Sequence, residues 1–322
     1  MGGFLTAGIV QTALEVGLIY SLVTLSLFLS FSILDICDLS TDGCYTLGCA
    51  VGAMVTIAGH PILALFAAMA AGVVSGFVTA LLQTKFGVES ILAGIIVNTG
   101  LYTINLAVMG FSADVSIVGK DTVYSLIGSI NKGVFWKGWS PVFFLGALIL
   151  VICFLLYWFL GTRLGLSIRA TGDSPAMVKA SSINPAFTTT VGLCIANAMT
   201  GLGGGLIAQY QKTANINLGT GMVTVALASL IIGETIFGRL PMFWRILGAC
   251  GGAVLYRFLI SIALRLNVPT EAFKLVSALI VAIAIIMPQA KSLIQFRLRR
   301  KALMAARAAK GAGASGNGGG KE

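Results

Sequence analysis

The chain is 322 residues long, 57% apolar and only 10% charged, where soluble domains carry about 25% charge. That composition excludes a soluble enzyme built on one buried core, a nucleic-acid binder and a disulfide-rich secreted domain. The formal charge of +10 does not reopen nucleic acid as a partner, because from Lys291 onward eight Lys or Arg stand against one acidic residue and the remainder is near balance.

A helix needs roughly 20 residues, at about 1.5 Å each, to cross about 30 Å of hydrocarbon. Apolar runs read against their flanks predict nine spans: Thr6 to Leu34, Cys44 to Ala58, Ile62 to Leu82, Ile91 to Met109, Val142 to Leu160, Ala186 to Tyr210, Met222 to Phe237, Ile246 to Leu264 and Leu275 to Pro288. The fold class is therefore all-α, a polytopic membrane bundle of about 9 to 10 transmembrane helices. The uncharged run from Gly43 to Thr84 holds two of them, with Gly59-His60-Pro61 as the turn. The first basic residue is Lys85, so no charged leader precedes the first apolar segment, which is expected to be retained.

These spans form a membrane domain over residues 1–290. Residues 291–322 form a basic tail, expected on the cytoplasmic face beside anionic lipid, first as a surface helix and then as disordered glycine-rich chain. With that tail inside, alternation of spans places Lys85, the Arg163 to Lys179 loop and the Arg239 to Arg245 loop inside as well. Ser112 to Ser140 then becomes the largest external loop. Two polar breaks echo each other, Asp38-Leu39-Ser40-Thr41-Asp42-Gly43 and Asn217-Leu218-Gly219-Thr220-Gly221. In this topology they face opposite sides, the pattern of an inverted internal repeat. Gly-x-x-x-Gly pairs at Gly48/Gly52, Gly72/Gly76, Gly201/Gly205 and Gly248/Gly252 indicate close helix packing and nothing more specific.

Catalytic signatures are missing. The lone His60 cannot build a His-x-x-x-His metal site, and there is neither a Gly-x-Ser-x-Gly elbow nor a Gly-x-x-x-x-Gly-Lys-Ser/Thr phosphate loop. The expectation is no catalytic residue, no metal and no cofactor in this chain. Cys37, Cys44, Cys49, Cys153, Cys194 and Cys250 lack Cys-x-x-Cys spacing and read as packing residues. Inside the spans, Asn98, Tyr102 and Asn105 fall at i, i+4 and i+7, on one helix face, with Asn197 in the other half. Such amides either line a passage for a polar solute or bond neighbouring helices together.

The loop over residues 161–186 carries helix signals: Asp173 or Ser174 as cap, Pro175 at the first helical position, and Asn184 before Pro185 as the end. A helix this short is marginal in water and makes sense docked on a partner. Arg169-Ala170-Thr171-Gly172-Asp173, followed by Met177-Val178-Lys179-Ala180 and Ile183-Asn184, closely resembles the cytoplasmic coupling loop of permeases in the branched-chain amino acid and ribose family of ABC importers. Gly17-Leu18-Ile19-Tyr20-Ser21-Leu22, Asp38 to Gly43, Gln83-Thr84-Lys85-Phe86, Leu92-Ala93-Gly94-Ile95, Tyr102 to Leu106 and Ile231-Ile232-Gly233-Glu234 are similar to the subgroup paired with tryptophan- or tyrosine-type binding lipoproteins. Cys37, Cys44-Tyr45-Thr46 and Ala107-Val108 depart from that subgroup.

The resemblance implies a permease homodimer in the bacterial plasma membrane, two ABC ATPase subunits that carry ATP and Mg, and an extracytoplasmic substrate-binding lipoprotein. It implies an amino acid as substrate, aromatic or branched-chain; a sugar or nucleoside is the alternative. The opposing class is an ion-gradient-driven secondary transporter, which the span interiors disfavour: they show no paired Asp/Glu/His relay, and Asp35, Asp38, Asp42, Glu89, Glu234 and Glu271 cluster at predicted span ends.

Overall fold

The computed structural model describes residues 7–130, 138–238, 240–265 and 282. The predicted span Leu275 to Pro288, apart from Ala282, and the basic tail lie outside them. Chain order is α1 (Ala7–Leu27), a π-helical turn (Phe28–Ile33), α2 (Thr41–Ile57), α3 (Pro61–Thr84), α4 (Ser90–Val108), β1 (Asp114–Ser116), α5 (Val123–Ile130), α6 (Ser140–Gly161), α7 (Arg163–Asp173), α8 (Pro175–Ala180), α9 (Pro185–Gln211), β2 (Thr213–Asn215), α10 (Met222–Phe237) and α11 (Met242–Arg265). Long uncharged runs become helices because hydrocarbon offers no partner for a free backbone N–H or C=O. Among the described residues six helices are long and apolar enough to cross a membrane: Gly8–Ile33, Pro61–Thr84, Ser90–Val108, Ser140–Gly161, Pro185–Gln211 and Met242–Ala263. The protein is a polytopic helical bundle.

Burial sorts these helices into layers. The apolar windows of α1 and α9 are each 78% buried, against 33%, 28% and 22% for α3, α4 and α6. α1 and α9 are thus the interior pair, and α3, α4 and α6 present apolar side chains outward. The glycine pairs fall on the seams. α2 runs parallel to α9, with Gly48 against Gly201 and Gly52 against Gly205, and α3 runs antiparallel to it, with Gly72 against the Asn197 carbonyl. A Cβ at Gly48 would overlap the Gly201 carbonyl oxygen, so only a small residue permits this approach. Gly248 and Gly252 play the same part between α11 and α10, against Phe237 and Ser229.

Two predicted spans differ from the other six. α2 has 17 residues and α10 has 16, or about 25 Å of helix each, and both begin inside the bundle. Just before α2, the Asp38 carboxylate bonds Asn197 at 2.8 Å; Asn197 is twelve residues into α9, about 18 Å from its start. From the far end of α9 the chain turns back through β2, which pairs antiparallel with β1 (Asp114 opposite Asn215). It descends beside α2 until α10 begins at Asp42. The two polar breaks therefore meet, which corrects the expectation that they face opposite sides. Asp38 and Asp42 likewise sit deep in the bundle and not at the ends of spans, because the helices next to them start at mid-depth.

The loop over residues 161–186 holds two helices where one was expected. α7 is capped by Thr162, whose Oγ1 accepts from Gly165 N at 3.2 Å, and α8 by Ser174, whose Oγ accepts from Met177 N at 3.4 Å. Of the two predicted caps, Ser174 is the one used.

Candidate functional site

Two regions collect the polar residues. The first is the junction where α2 and α10 begin. Asp42, in the first turn of α2, accepts the N–H of Val223 at 2.8 Å and of Gly221 at 3.0 Å, so it caps α10 across the junction. Thr46 Oγ1, one turn further along α2, accepts the Gly219 N–H at 3.2 Å. A negative group at a helix start is favoured by the macrodipole, and here one carboxylate serves two helices. Gly219 is required: a Cβ there would overlap the Asp42 carbonyl oxygen.

A cavity of about 300 Å³ opens between this junction and α4, lined by Asp42, Thr46, Asn98, Thr99, Tyr102, Asn105, Asn217 and Thr220 among others. The structure thus brings together three of the residues singled out in the sequence, Asn98, Tyr102 and Asn105. Asn105 is 1% exposed and donates to the Gly43 carbonyl at 3.2 Å. Tyr102, 53% exposed, stands at the mouth. Asn197 is placed elsewhere: it is fully buried, donates to Asp38 and to the Leu193 carbonyl, and does not line the cavity. Asp42, Thr46, Asn217 and Thr220 were missed as lining residues, although the polar breaks that contain them were visible in the sequence.

The second region is α7 with α8. Gly172 rests on the Ile33 carbonyl at the end of the π-helical turn, where a Cβ would overlap it. Beside it the buried Thr171 shares a 2.8 Å hydroxyl contact with Thr188 of α9. Ala170 is half-buried, and its carbonyl accepts the Ser174 N–H at 3.0 Å. Val178 anchors α8 inward at 2% exposure, whereas Pro175, Met177 and Lys179 are exposed, Met177 at 58%. Asp173 is exposed and makes no cap; Ile183 is half-buried, its N–H bonded to the Val178 carbonyl at 3.2 Å. Asn184 caps α9 through Ala186 N at 3.0 Å. Arg169 lies apart from this surface and lines a cleft of about 400 Å³ with Tyr157, Trp158, Thr162 and Met242.

Near the same end, Glu234 of α10 pairs with Arg245 of α11 at 3.1 Å and accepts from Ser32 in the π-helical turn. The guanidinium of Arg245 lies 5.5 Å from the centre of the Phe28 ring. This cluster ties α1, α10 and α11 together beside the α7 contact. Among the described residues no group of His, Cys, Asp and Glu is placed to hold a metal.

Over residues 9–285 the chain matches the family described as branched-chain amino acid transport system, permease component. It is 32% identical over 276 residues to the tyrosine transport system permease protein of Clostridioides difficile (strain R20291), covering 85% of this chain and 89% of that protein. It is 26% identical over 262 residues to the ribose import permease protein of Escherichia coli (strain K12), covering 79% and 77% respectively. No solved structure matches the chain.

Proposed function

The chain belongs to the branched-chain amino acid transport system permease family, and from that membership we propose that it carries an amino acid, aromatic or branched-chain, through the cavity at the α2–α10 junction. It is a multi-pass permease component of an ABC import system, a transporter subunit and not an enzyme. One observation carries the substrate path: a polar cavity at mid-depth in the bundle, where the backbone of both short helices is interrupted. Irregular backbone at membrane depth is tolerated where it lines a cavity.

The assembly proposed around it has two copies of the permease. Thr99, Tyr102 and Thr103 are exposed on α4, a 19-residue apolar helix. Polar groups in that position are costly against lipid tails, and a second copy would cover them and complete the passage. Two ATPase subunits, holding ATP and Mg, would dock on Met177, Lys179 and the rest of the exposed face of α8. Their closure would push α7 against Ile33 and so reach the junction through the Asp38 break. A binding lipoprotein would deliver substrate at the β1–β2 end, and the setting is the inner membrane of a bacterium.

The tyrosine permease relative favours an amino acid, and the ribose permease relative keeps a sugar as the second reading. Reconstitution of the permease with its ATPase and lipoprotein tests both, through ATP-dependent uptake of L-tyrosine, L-leucine and D-ribose. Uptake of either amino acid above that of ribose is the expected result; ribose uptake alone would overturn the amino acid assignment.

A further inference from the structure

The junction cavity has an uneven inventory of hydrogen-bonding groups. Among the described residues its lining contains one carboxylate, Asp42, and no Lys, Arg or His. Each Asp42 oxygen accepts one backbone N–H. The Met222 N–H also points at this carboxylate, so of its roughly four lone-pair sites about one remains open. Next to it Asn105 is buried to 1% exposure, its Nδ2 bonded to the Gly43 carbonyl, and its Oδ1 has no partner. A buried acceptor left unpaired in a native protein calls for a cause. Surplus acceptors along a cavity wall suit a ligand made of donors.

The balance of charge has the same sign. Two helix starts meet here, each equivalent to about half a positive charge. Against them stand two carboxylates. Asp42 is one; Asp38 is the other, 2% exposed and held by the Ser40 N–H and hydroxyl and by Asn197. About one negative charge is left over. Cations on the neighbouring helices are engaged elsewhere, Arg245 with Glu234 and Arg257 over the Tyr20 ring at 5.1 Å.

We propose that Asp42 and the free Oδ1 of Asn105 form an ammonium subsite, which selects substrates by their protonated amine. An ammonium presents three donors and no acceptor, so it uses both open acceptors and the leftover charge. A sugar hydroxyl both donates and accepts and leaves that charge uncompensated. An anion is repelled. The subsite rests on the amino acid permease reading and names the part of the substrate that the passage recognises.

The test needs neither the ATPase nor uptake, so its failure and the failure of the permease reading can be told apart. Thr99→Cys puts a reporter thiol at the exposed cavity wall, where the native hydroxyl only bonds back to the Ile95 carbonyl at 2.8 Å. The full chain in lipid nanodiscs is labelled with 2-aminoethyl, 2-hydroxyethyl or 2-sulfonatoethyl methanethiosulfonate. Each rate is divided by that reagent's rate with a free thiol, after subtraction of labelling in the parent. The ammonium reagent is expected to react about tenfold faster than the hydroxyl reagent, and the sulfonate slower than both. Asp42→Asn should bring the ammonium and hydroxyl rates within about twofold of each other, and Asp42→Glu should keep them apart. Asn105→Asp leaves the cap on α10 intact and should widen the gap. Equal ammonium and hydroxyl rates in the Thr99→Cys protein, a gap that survives Asp42→Asn, or no widening with Asn105→Asp would each overturn the proposal.

Discussion

At the α2–α10 junction polar side chains turn inward. Asp42, Thr46 and Asp38 find their partners in backbone N–H groups and in Asn197, inside the bundle. On α8 the arrangement is reversed, with one apolar anchor, Val178, facing in, while Met177, Lys179 and Pro175 face out. The first region spends its hydrogen-bonding capacity on holding two helix starts around a cavity. The second keeps its contact groups free for another surface. A permease needs both, and the difference gives each region its own mode of failure: damage at the junction should stop passage with the partner still bound, and damage at α7 or α8 should release the partner from an intact bundle.

The largest separation is expected from Gly219→Ala. Its methyl group would overlap the Asp42 carbonyl oxygen and press on Thr46, forcing α10 away from its cap. Uptake by the reconstituted complex should fall at least about tenfold, while the ATPase copurifies as with the parent. Gly172→Ala is its counterpart. The overlap there is with Ile33, so α7 must lift from the π-helical turn. ATPase copurification and uptake should drop together, about tenfold, with the thermal unfolding of the membrane domain little changed.

Smaller effects sharpen the same contrast. Asn98→Ala removes one amide from the cavity wall and should lower uptake a few-fold with the ATPase retained. Ser174→Ala combined with Asp173→Ala removes the α8 cap, a loss of about 0.5–2 kcal/mol. That should weaken ATPase copurification a few-fold without unfolding the bundle. Retention of the ATPase with full uptake in this double variant would exclude α8 from coupling.

Much of the fold was legible because uncharged runs of membrane length have few alternatives to a helix. The predicted ends of Met222–Phe237 coincide with α10, and Gly59, at φ 94°, together with Pro61, makes the foreseen turn between α2 and α3. Depth was not legible. Hydropathy reports how apolar a helix is and not where along the bundle axis it begins, so α2 and α10 read as ordinary spans and their breaks as surface turns. The face of α4 could be read from spacing, since Asn98, Tyr102 and Asn105 share one side of a half-exposed helix. α9 gave no such signal. It is buried nearly all round, so Asn197 carried no directional information and settled on Asp38 instead of the cavity. At the coupling loop, Pro175 and Ser174 marked the start of α8, but α7 went unseen because Leu164, Leu166 and Ile168 are scattered among polar residues and two glycines, Gly165 and Gly172; its place depends on Gly172 meeting Ile33.

The division of labour between the two regions is tested most directly by photocrosslinking in the assembled transporter. A benzophenone amino acid is placed at Met177 on α8 or at Val118 on the turn after β1, both well exposed. The account predicts that Met177 captures the ATPase subunit, and that Val118 captures the binding lipoprotein and never the ATPase. Capture of the ATPase from Val118, or of the lipoprotein from Met177, would contradict it.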